Sequence, residues 1–169
     1  MRIISGTLRG KRFYPPSNIP ARPTTDFAKE ALFNILNNHF DFQEVKFLDL
    51  FAGTGSLDME MFSRGCTDIT SVDMSKISIG FIKKMSEEVK IPNHKIITGD
   101  AIQFAKNCRE QYNLIFAGPP YALEVIDEIP DIIFDRNLLK EDGWFIMETS
   151  PKHDFTEHPK LLQVRNYGQ

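Results

Sequence analysis

Asp49-Leu50-Phe51-Ala52-Gly53-Thr54-Gly55 is the stretch of sequence that decides the fold. Apolar residues surround Asp49 and predict a buried strand over 47–51, and the residues after the stretch predict a helix near 56–64. Gly53 and Gly55 have no Cβ, so the backbone between strand and helix can turn tightly and approach a ligand closely. The stretch therefore predicts the first strand-to-helix turn of an α/β domain.

Strand and helix patterns continue to alternate up to residue 148. Further strands are predicted over 69–73, 95–97, 112–116 and 144–148, with helices between them near 74–85, 100–107 and 122–135. The first of these helices has an apolar stripe at Met74, Ile77, Phe81, Ile82 and Met85. This alternation is typical of βαβ units and predicts a doubly wound, Rossmann-like parallel sheet of the α/β class. Because such sheets bind ligands at the carboxyl ends of their strands, we expect the ligand site at residues 49–55, 73, 100 and 118–121.

The type of ligand follows from the acids near the glycines. Asp73 lies twenty residues after Gly53 at the end of the second strand, where an acid commonly binds ribose hydroxyls. Together they predict a nucleotide-type cofactor; a glycine turn that only connects strand to helix is the alternative. Asp58 stands where dinucleotide-binding proteins have a third glycine, and with Asp49 it would repel a pyrophosphate. A cofactor with a positive sulfonium and an amino acid tail, S-adenosylmethionine, suits these carboxylates better than NAD.

A second motif, Gly118-Pro119-Pro120-Tyr121, ends the fourth strand. The two prolines fix φ and remove two amide donors, so the carbonyl groups there remain available as acceptors. Tyr121 offers an aromatic face on which a base can stack, an interaction worth about 1–3 kcal/mol. A rigid turn with a half-buried tyrosine is the alternative interpretation.

The net charge of −3 is unevenly distributed over the 169 residues. Residues 1–22 contribute +5 and no acid, and the remaining 15 basic and 23 acidic residues sum to −8. A basic segment on an acidic body indicates an anionic partner, although a solvated basic hairpin fits the charge equally well. The segment has two short strand patterns, over 2–6 and 7–13, and Thr24 or Thr25 can cap the helix that follows.

Composition excludes several other classes of protein. No apolar run approaches the roughly 18 residues needed to span a bilayer, and the residues after Met1 lack a signal-peptide pattern, so we expect a cytoplasmic protein. Cys66 and Cys108 are not spaced as metal ligands, and we expect no metal site and no disulfide framework. The histidines are scattered, and we expect them on the surface: His39, His94, His153 and His158.

Taken together, these motifs resemble the bacterial small-subunit ribosomal RNA guanine-N2 methyltransferase family (the RsmD type). The resemblance extends from Met1 to about Tyr167 and rests on residues 2–6 with 9–10, 22–26, 30–34, 49–57 and 119–121. It implies a basic arm and linker over 1–22 and an S-adenosylmethionine-dependent methyltransferase domain over 23–169. The implied partner is ribosomal RNA or an assembling small ribosomal subunit, with a monomer favoured.

The resemblance also implies roles for individual residues. The residues expected to bind the cofactor are Arg22, Thr24, Asp49, Phe51, Ala52, Gly53, Gly55, Asp73, Asp100 and Ala101. Those expected at the methyl-transfer site are Gly118, Pro119, Pro120 and Tyr121, and those expected to bind RNA phosphates are Arg2, Arg9, Lys11 and Arg12. Asp73 would hold the ribose and Asp100 the adenine, and Tyr121 would stack on a flipped base.

The chain departs from the family at Gly118 and Asp58. The family has Asp or Asn before Pro-Pro-Tyr, where a side-chain acceptor would aim the guanine amine at the methyl carbon. Losing a comparable oriented group costs about 2.7–4 kcal/mol of barrier, so a catalytically inactive module that still binds cofactor and RNA is one alternative. A DNA amino-methyltransferase and an NAD-dependent oxidoreductase are the others. At the position of Asp58 the family has a glycine.

The last residues have a strand pattern over 161–166 that enters a turn. The family continues from there into a final antiparallel strand. We therefore expect that this strand is missing or is replaced by a partner, because an unpaired edge favours association.

Overall fold

The computed structural model describes residues 1–21 and 24–167 and contains one five-stranded sheet flanked by helices. The strands are β1 (Lys46–Leu50), β2 (Asp68–Asp73), β3 (Asn93–Thr98), β4 (Tyr112–Ala117) and β5 (Leu139–Met147). The helices are α1 (Asp26–Asn37), α2 (Ser56–Ser63), α3 (Lys76–Val89), α4 (Ala101–Asn107) and α5 (Ile129–Asp135). Single 3₁₀ turns occur at Phe42–Glu44 and Ile126–Glu128.

The strand order is β3-β2-β1-β4-β5, and every neighbouring pair is parallel. The order reverses between β1 and β4, and ligands of open α/β sheets bind at such a switch point. The predicted doubly wound sheet is confirmed. Apolar clusters cover both faces of the sheet, one around Phe47 and Met61 and the other around Leu48 and Ile115.

Local capping explains where two helices begin. Thr25 caps α1, since its Oγ1 accepts a hydrogen bond from the Ala28 amide at 3.1 Å. The helix predicted over 122–135 is wrong in its first half, because residues 121–125 form turns and α5 begins only at Ile129. Pro130 accounts for the start, because a residue without an N–H fits in the first turn of a helix and not in its interior.

The basic hairpin packs on the domain through buried side chains. The two predicted strands are reduced to one bridge between Arg2 and Arg12, because left-handed Gly6 and Gly10 and the turns between them interrupt any ladder. Ile3 and Phe13, on the inner face of the hairpin, are buried in the cluster around Phe47. The hairpin therefore contributes Ile3 and Phe13 to the domain core.

Glu60 of α2 fastens this hairpin to the domain. Its carboxylate accepts hydrogen bonds from the backbone amides of Ile4 at 2.8 Å and Ser5 at 3.1 Å. It also accepts from Arg64 Nε at 2.8 Å, and Lys29 Nζ lies 3.5 Å away. Four donors thus surround a carboxylate that has no exposed surface.

Lys29 of α1 completes this junction from the other side. Its Nζ donates to the carbonyl oxygen of Arg2 at 2.6 Å and to Ser56 Oγ at 3.0 Å. Burial lowers the pKa of the ammonium, and the adjacent Glu60 carboxylate opposes that shift. The hairpin, α1 and α2 therefore meet at one buried and fully hydrogen-bonded ion pair.

The C-terminal segment does not form the strand predicted over 161–166. Residues 161–167 pair with no strand in the part of the chain that the structure describes, and the side chain of Leu162 is 82% exposed. The preceding residues contact α5 and its 3₁₀ turn, where His153 Nδ1 lies 2.7 Å from Asp127 and His158 Nε2 lies 2.9 Å from Asp131. These two histidines are partly exposed, and each is paired with an aspartate.

None of the helices in the two described ranges is long and apolar enough to cross a bilayer.

We predict that Glu60→Ala lowers the free energy of unfolding by about 3–5 kcal/mol, because it leaves a buried lysine and two buried amides without their acceptor. Denaturant titration measures this loss, and hydrogen exchange at Ile4 and Ser5 measures loosening of the hairpin. Glu88→Ala is the matched control, because Glu88 pairs with Lys11 at the exposed surface, where such pairs contribute at most about 1 kcal/mol. Equal losses in the two variants would contradict the role given to Glu60.

Candidate cofactor-binding site

The loop from Phe51 to Gly55 carries three residues in left-handed backbone conformations. Phe51 has φ 62°, Gly53 φ 58° and Gly55 φ 75°. The conformation is unfavourable for Phe51, which has a side chain. Hydrogen bonds hold the loop, from the Ala52 amide to the Val72 carbonyl at 3.0 Å and from the Gly55 amide to the Ala52 carbonyl at 2.9 Å.

Both glycines of this loop are required by space as well as by φ. A Cβ on Gly55 would lie 2.8 Å from Ile82 Cγ1, so the start of α2 packs directly on α3. A Cβ on Gly53 would lie 3.0 Å from Ala21 Cβ, so the chain leading to α1 passes next to the loop. The loop is thus a narrow turn with backbone amides at the ligand edge of the sheet.

Asp73 lies beside this loop as predicted. Its Oδ2 accepts a hydrogen bond from the Gly53 amide at 2.8 Å, and its Oδ1 accepts one from the Ser75 amide at 2.8 Å. A carboxylate oxygen can accept a further hydrogen bond, so both oxygens retain capacity for ligand hydroxyls. The Asp73 carbonyl also accepts from the Gly99 amide at 2.9 Å, which brings the end of β3 to the same place.

Asp100 and Ala101 follow directly at the end of β3. The exposed Asp100 carboxylate caps α4 by accepting hydrogen bonds from the Ile102 amide at 2.8 Å and the Gln103 amide at 3.2 Å. Ala101 is buried beneath it. The ends of β1, β2 and β3 therefore bring Gly53, Asp73 and Asp100 to one edge of the sheet.

Gly118 to Tyr121 follow β4, next to the end of β1. The Gly118 amide lies 3.4 Å from the Leu50 carbonyl, and the Leu123 amide donates to the Pro120 carbonyl at 3.0 Å. Pro119 is buried, and Tyr121 is partly exposed. The Pro-Pro-Tyr turn thus starts across the switch point from the glycine loop.

Gly118 differs from the loop glycines because its backbone does not require glycine. It has no left-handed φ, and the nearest atom to a Cβ there would be Phe116 Cε1 at 3.2 Å, on a side chain that can shift.

Arg22 lies outside the described residues. Thr24, one residue before the cap of α1, is half-buried.

Asp49 and Asp58 form a buried acid pair behind the loop. Both carboxyl groups are almost fully buried, and they share a hydrogen bond. Burial and the nearby carboxyl groups of Asp58 and Asp73 raise the pKa of Asp49 well above its usual range. Burial raises the pKa of Asp58 to about 6, against hydrogen bonds from Asp49 and Ser71 that lower it.

Burial and the closeness of the two carboxyl groups therefore favour one shared proton over two negative charges. Two ionised carboxylates about 4 Å apart would repel each other by about 4 kcal/mol at an effective dielectric constant near 20. A proton held between Asp49 and Asp58 avoids this repulsion.

Two residues of this edge were assigned wrongly from sequence. Met74 and Ile77 were expected in the buried stripe of a helix, yet their side chains are 67% and 42% exposed. Ser75 caps α3, so Met74 precedes the helix and presents an apolar surface directly after Asp73. The capping pattern of Ser75 before the helix is the signal that places this start.

Two of the four basic residues of the hairpin form ion pairs within the described part of the chain, and two do not. Arg2 pairs with Asp26 at 3.0 Å, and Lys11 pairs with Glu88 at 3.1 Å. Arg9 and Arg12 are exposed and form no ion pair within residues 1–21 and 24–167.

A doubly wound sheet with a glycine loop joined to an acid on β2, and with Pro-Pro-Tyr after β4, defines a Rossmann-like methyltransferase. The chain belongs to the family described as conserved hypothetical protein 95, whose model matches residues 1–169. This confirms the resemblance stated from the sequence. It also removes the NAD-dependent oxidoreductase from the alternatives.

Individual relatives agree with this membership. Ribosomal RNA small subunit methyltransferase D of Escherichia coli (strain K12) is 32% identical over 149 residues, which are 88% of this chain and 71% of that protein. Its namesake in Buchnera aphidicola subsp. Baizongia pistaciae is 30% identical over 148 residues, 88% of this chain and 75% of that protein. A Haemophilus influenzae structure described as "putative methylase" matches with a TM-score of 0.79 at 26% identity, covering 99% of this chain and 92% of that one.

We predict that Gly55→Ala lowers the free energy of unfolding by about 2–5 kcal/mol, because the residue is left-handed and its Cβ would overlap Ile82. Gly80→Ala is the matched control within α3, where no atom lies within 4 Å of the new Cβ. It should raise stability by about 0.5–1 kcal/mol, because alanine is the better helix former. Denaturant titration compares the two, and equal effects would sink the packing argument.

Proposed function

We propose that this protein transfers the methyl group of S-adenosylmethionine to the exocyclic N2 of a guanine in small-subunit ribosomal RNA. The observation that carries the proposal is the joining of the glycine loop to Asp73 beside the Pro-Pro-Tyr turn, at the switch point of the sheet. The relatives named as ribosomal RNA small subunit methyltransferase D support the class of substrate.

The shape and chemistry of the loop fit this cofactor. The left-handed conformations of Gly53 and Gly55 keep the turn narrow, and a side chain at either position would crowd Ala21 or Ile82, so the loop presents backbone to the ligand. Asp73 offers carboxylate oxygens to ribose hydroxyls, and Met74 offers an exposed apolar surface next to it for an adenine face. When bound, the cofactor supplies an electrophilic methyl group. We assign the remaining contacts to Phe51, Ala52, Asp100, Ala101, Arg22 and Thr24.

The acceptor side of the site is formed by the Pro-Pro-Tyr turn. The guanine amine is a poor nucleophile because its lone pair is delocalised into the ring, so hydrogen-bond acceptors must orient it. The carbonyl of Pro119 is one such acceptor, and Tyr121 supplies a ring for stacking. Gly118 supplies no side chain, which favours a second candidate, a catalytically inactive module that binds cofactor and RNA.

We predict that Gly118→Asp raises the rate of methyl transfer to undermethylated small ribosomal subunits by about 10²–10³-fold, because the carboxylate orients the amine. The affinity for S-adenosylhomocysteine, measured by calorimetry, should stay unchanged. Gly80→Asp is the control, because it adds the same charge on the exposed surface of α3. Equal rates for wild type and Gly118→Asp would show that the side chain is dispensable. Absence of transfer in both, with cofactor binding retained, would favour the inactive module.

The RNA-binding part of the proposal rests on the exposed hairpin cations. We predict that replacing Arg9 and Arg12 by alanine weakens RNA binding and makes it less dependent on salt. Each lost phosphate contact should reduce the slope of log affinity against log salt by about 0.7–0.9. Filter binding at salt concentrations from about 50 to 200 mM measures this slope. The control replaces Lys83 and Lys84, exposed cations on α3; an equal loss of slope there would argue against a hairpin site.

A further inference from the structure

A chain of hydrogen-bonded side chains runs from Asp49 of β1, close to the glycine loop, across the sheet to Ser86 of α3. We call Asp49, Asp58, Ser71, His94 and Ser86 the acid relay. Ser71 Oγ donates to Asp58 Oδ2 at 2.6 Å and lies 2.7 Å from His94 Nε2, and His94 Nδ1 lies 2.9 Å from Ser86 Oγ. Each of the five members comes from a different element: β1, α2, β2, β3 and α3, in that order.

The direction of each hydrogen bond follows from the number of protons available. The Ser71 hydroxyl has one proton, which goes to Asp58, so its oxygen accepts from His94 Nε2–H. His94 is therefore the neutral tautomer with its proton on Nε2, and its Nδ1 accepts from the Ser86 hydroxyl. Burial lowers the pKa of His94 to about 4, which agrees with a neutral ring. This histidine was expected on the surface, and that expectation is wrong.

The other end of the relay holds one proton between two acids. Asp58 Oδ1 is buried and accepts from no donor among the hydrogen bonds of the described residues, while the Asp49 carboxyl group lies within hydrogen-bonding range of Asp58. A proton on Asp49 satisfies this oxygen. The remaining charged group that acts on both acids is Asp73, whose carboxylate is bound by the Gly53 and Ser75 amides.

We infer that Asp58 is a positioning residue for the cofactor site. The Ser71–His94–Ser86 part of the relay holds Asp58, and Asp58 in turn keeps Asp49 protonated and fixed behind the glycine loop. Protonation of Asp58 itself weakens binding of the cationic end of the cofactor. The inference rests on the proposed cofactor site. The negative charge of the pair attracts the ammonium group of the ligand, so a ligand-bound protein holds its second proton less tightly than the free protein.

The sign of the pH dependence follows directly. In the free protein Asp58 has a pKa raised to about 6, so the pair is singly charged above that pH and neutral below it. Affinity should therefore be constant near pH 7 and fall as the pH decreases through 6. If ligand binding lowers the pKa by about one unit, the dissociation constant increases about fivefold between pH 7 and pH 5.

Calorimetric titration with S-adenosylhomocysteine from pH 5.0 to 7.0 tests this in wild type, Asp58→Asn and Ser71→Ala. Asp58→Asn should bind weakly throughout and lose the fall in affinity near pH 6, because burial keeps the remaining acid, Asp49, protonated and the pair then carries no charge. Ser71→Ala should move the fall to higher pH, because it removes a hydrogen bond that lowers the pKa of Asp58. Asp135→Asn, an exposed acid at the end of α5, should retain the wild-type profile.

The variants separate a positioning role from a structural one. Loss of packing alone would change affinity by the same factor at every pH and would leave the inflection where it is, which would overturn the inference. A wild-type affinity that is flat from pH 5.0 to 7.0 would overturn it as well, while leaving the proposed function intact. Failure of wild type to bind S-adenosylhomocysteine at any pH would overturn both. If Asp58→Asn does not fold, the shift in Ser71→Ala decides.

Discussion

The hydrogen bond from the Gly53 amide to the Asp73 carboxylate, 2.8 Å long, joins the turn after β1 to the end of β2. The same carboxylate accepts from the Ser75 amide, and the Asp73 carbonyl accepts from Gly99 after β3. One residue thus holds the ends of three strands in a fixed relation. The left-handed conformation of Phe51 costs about 1–2 kcal/mol, and these bonds help to offset it. The loop exists in its ligand-ready shape because its neighbours constrain it from both sides.

Helix α2 connects the glycine loop, from which it starts, to the basic hairpin, on which it packs. It begins at left-handed Gly55 and is buried on nearly all sides, although four of its eight residues are polar. Residues two apart on a helix point about 200° apart, so Asp58 faces the acid relay while Glu60 faces the hairpin. Its buried polar side chains bond to neighbouring elements: Ser56 to Lys29, Glu60 and Ser63 to the hairpin, and Asp58 to Ser71 through one carboxyl oxygen. A short helix therefore couples the cofactor loop to the surface that we assign to RNA.

The parts of the fold predicted from sequence are those fixed by local pattern. The alternation of apolar strands and amphipathic helices predicted the parallel sheet, and the spacing of Gly53 and Asp73 predicted that these two residues lie side by side. The errors have tertiary causes. Met74 belongs to an apolar stripe by spacing, but the cap at Ser75 leaves it outside the helix. His94 looks like a surface residue in the sequence, and only the packing of α2 and α3 against β2 and β3 brings it to Ser71 and Asp58. The predicted start of the 122–135 helix was wrong because Pro130 fits only in the first turn of a helix, so α5 begins at Ile129.

Gly55 and Gly118 look alike in the sequence, but the fold requires a glycine only at Gly55. At Gly55 both the positive φ and the contact with Ile82 exclude a side chain, so the fold itself selects glycine. At Gly118 the backbone is ordinary and only the ring of Phe116 lies close, so the fold leaves that position open to any small polar residue. Under the proposed function, the glycine there bears on chemistry alone, because it leaves the Pro119 carbonyl and the Tyr121 ring to orient the guanine amine. The cofactor contacts that we propose, on the loop and Asp73, do not involve Gly118, so that change leaves them intact.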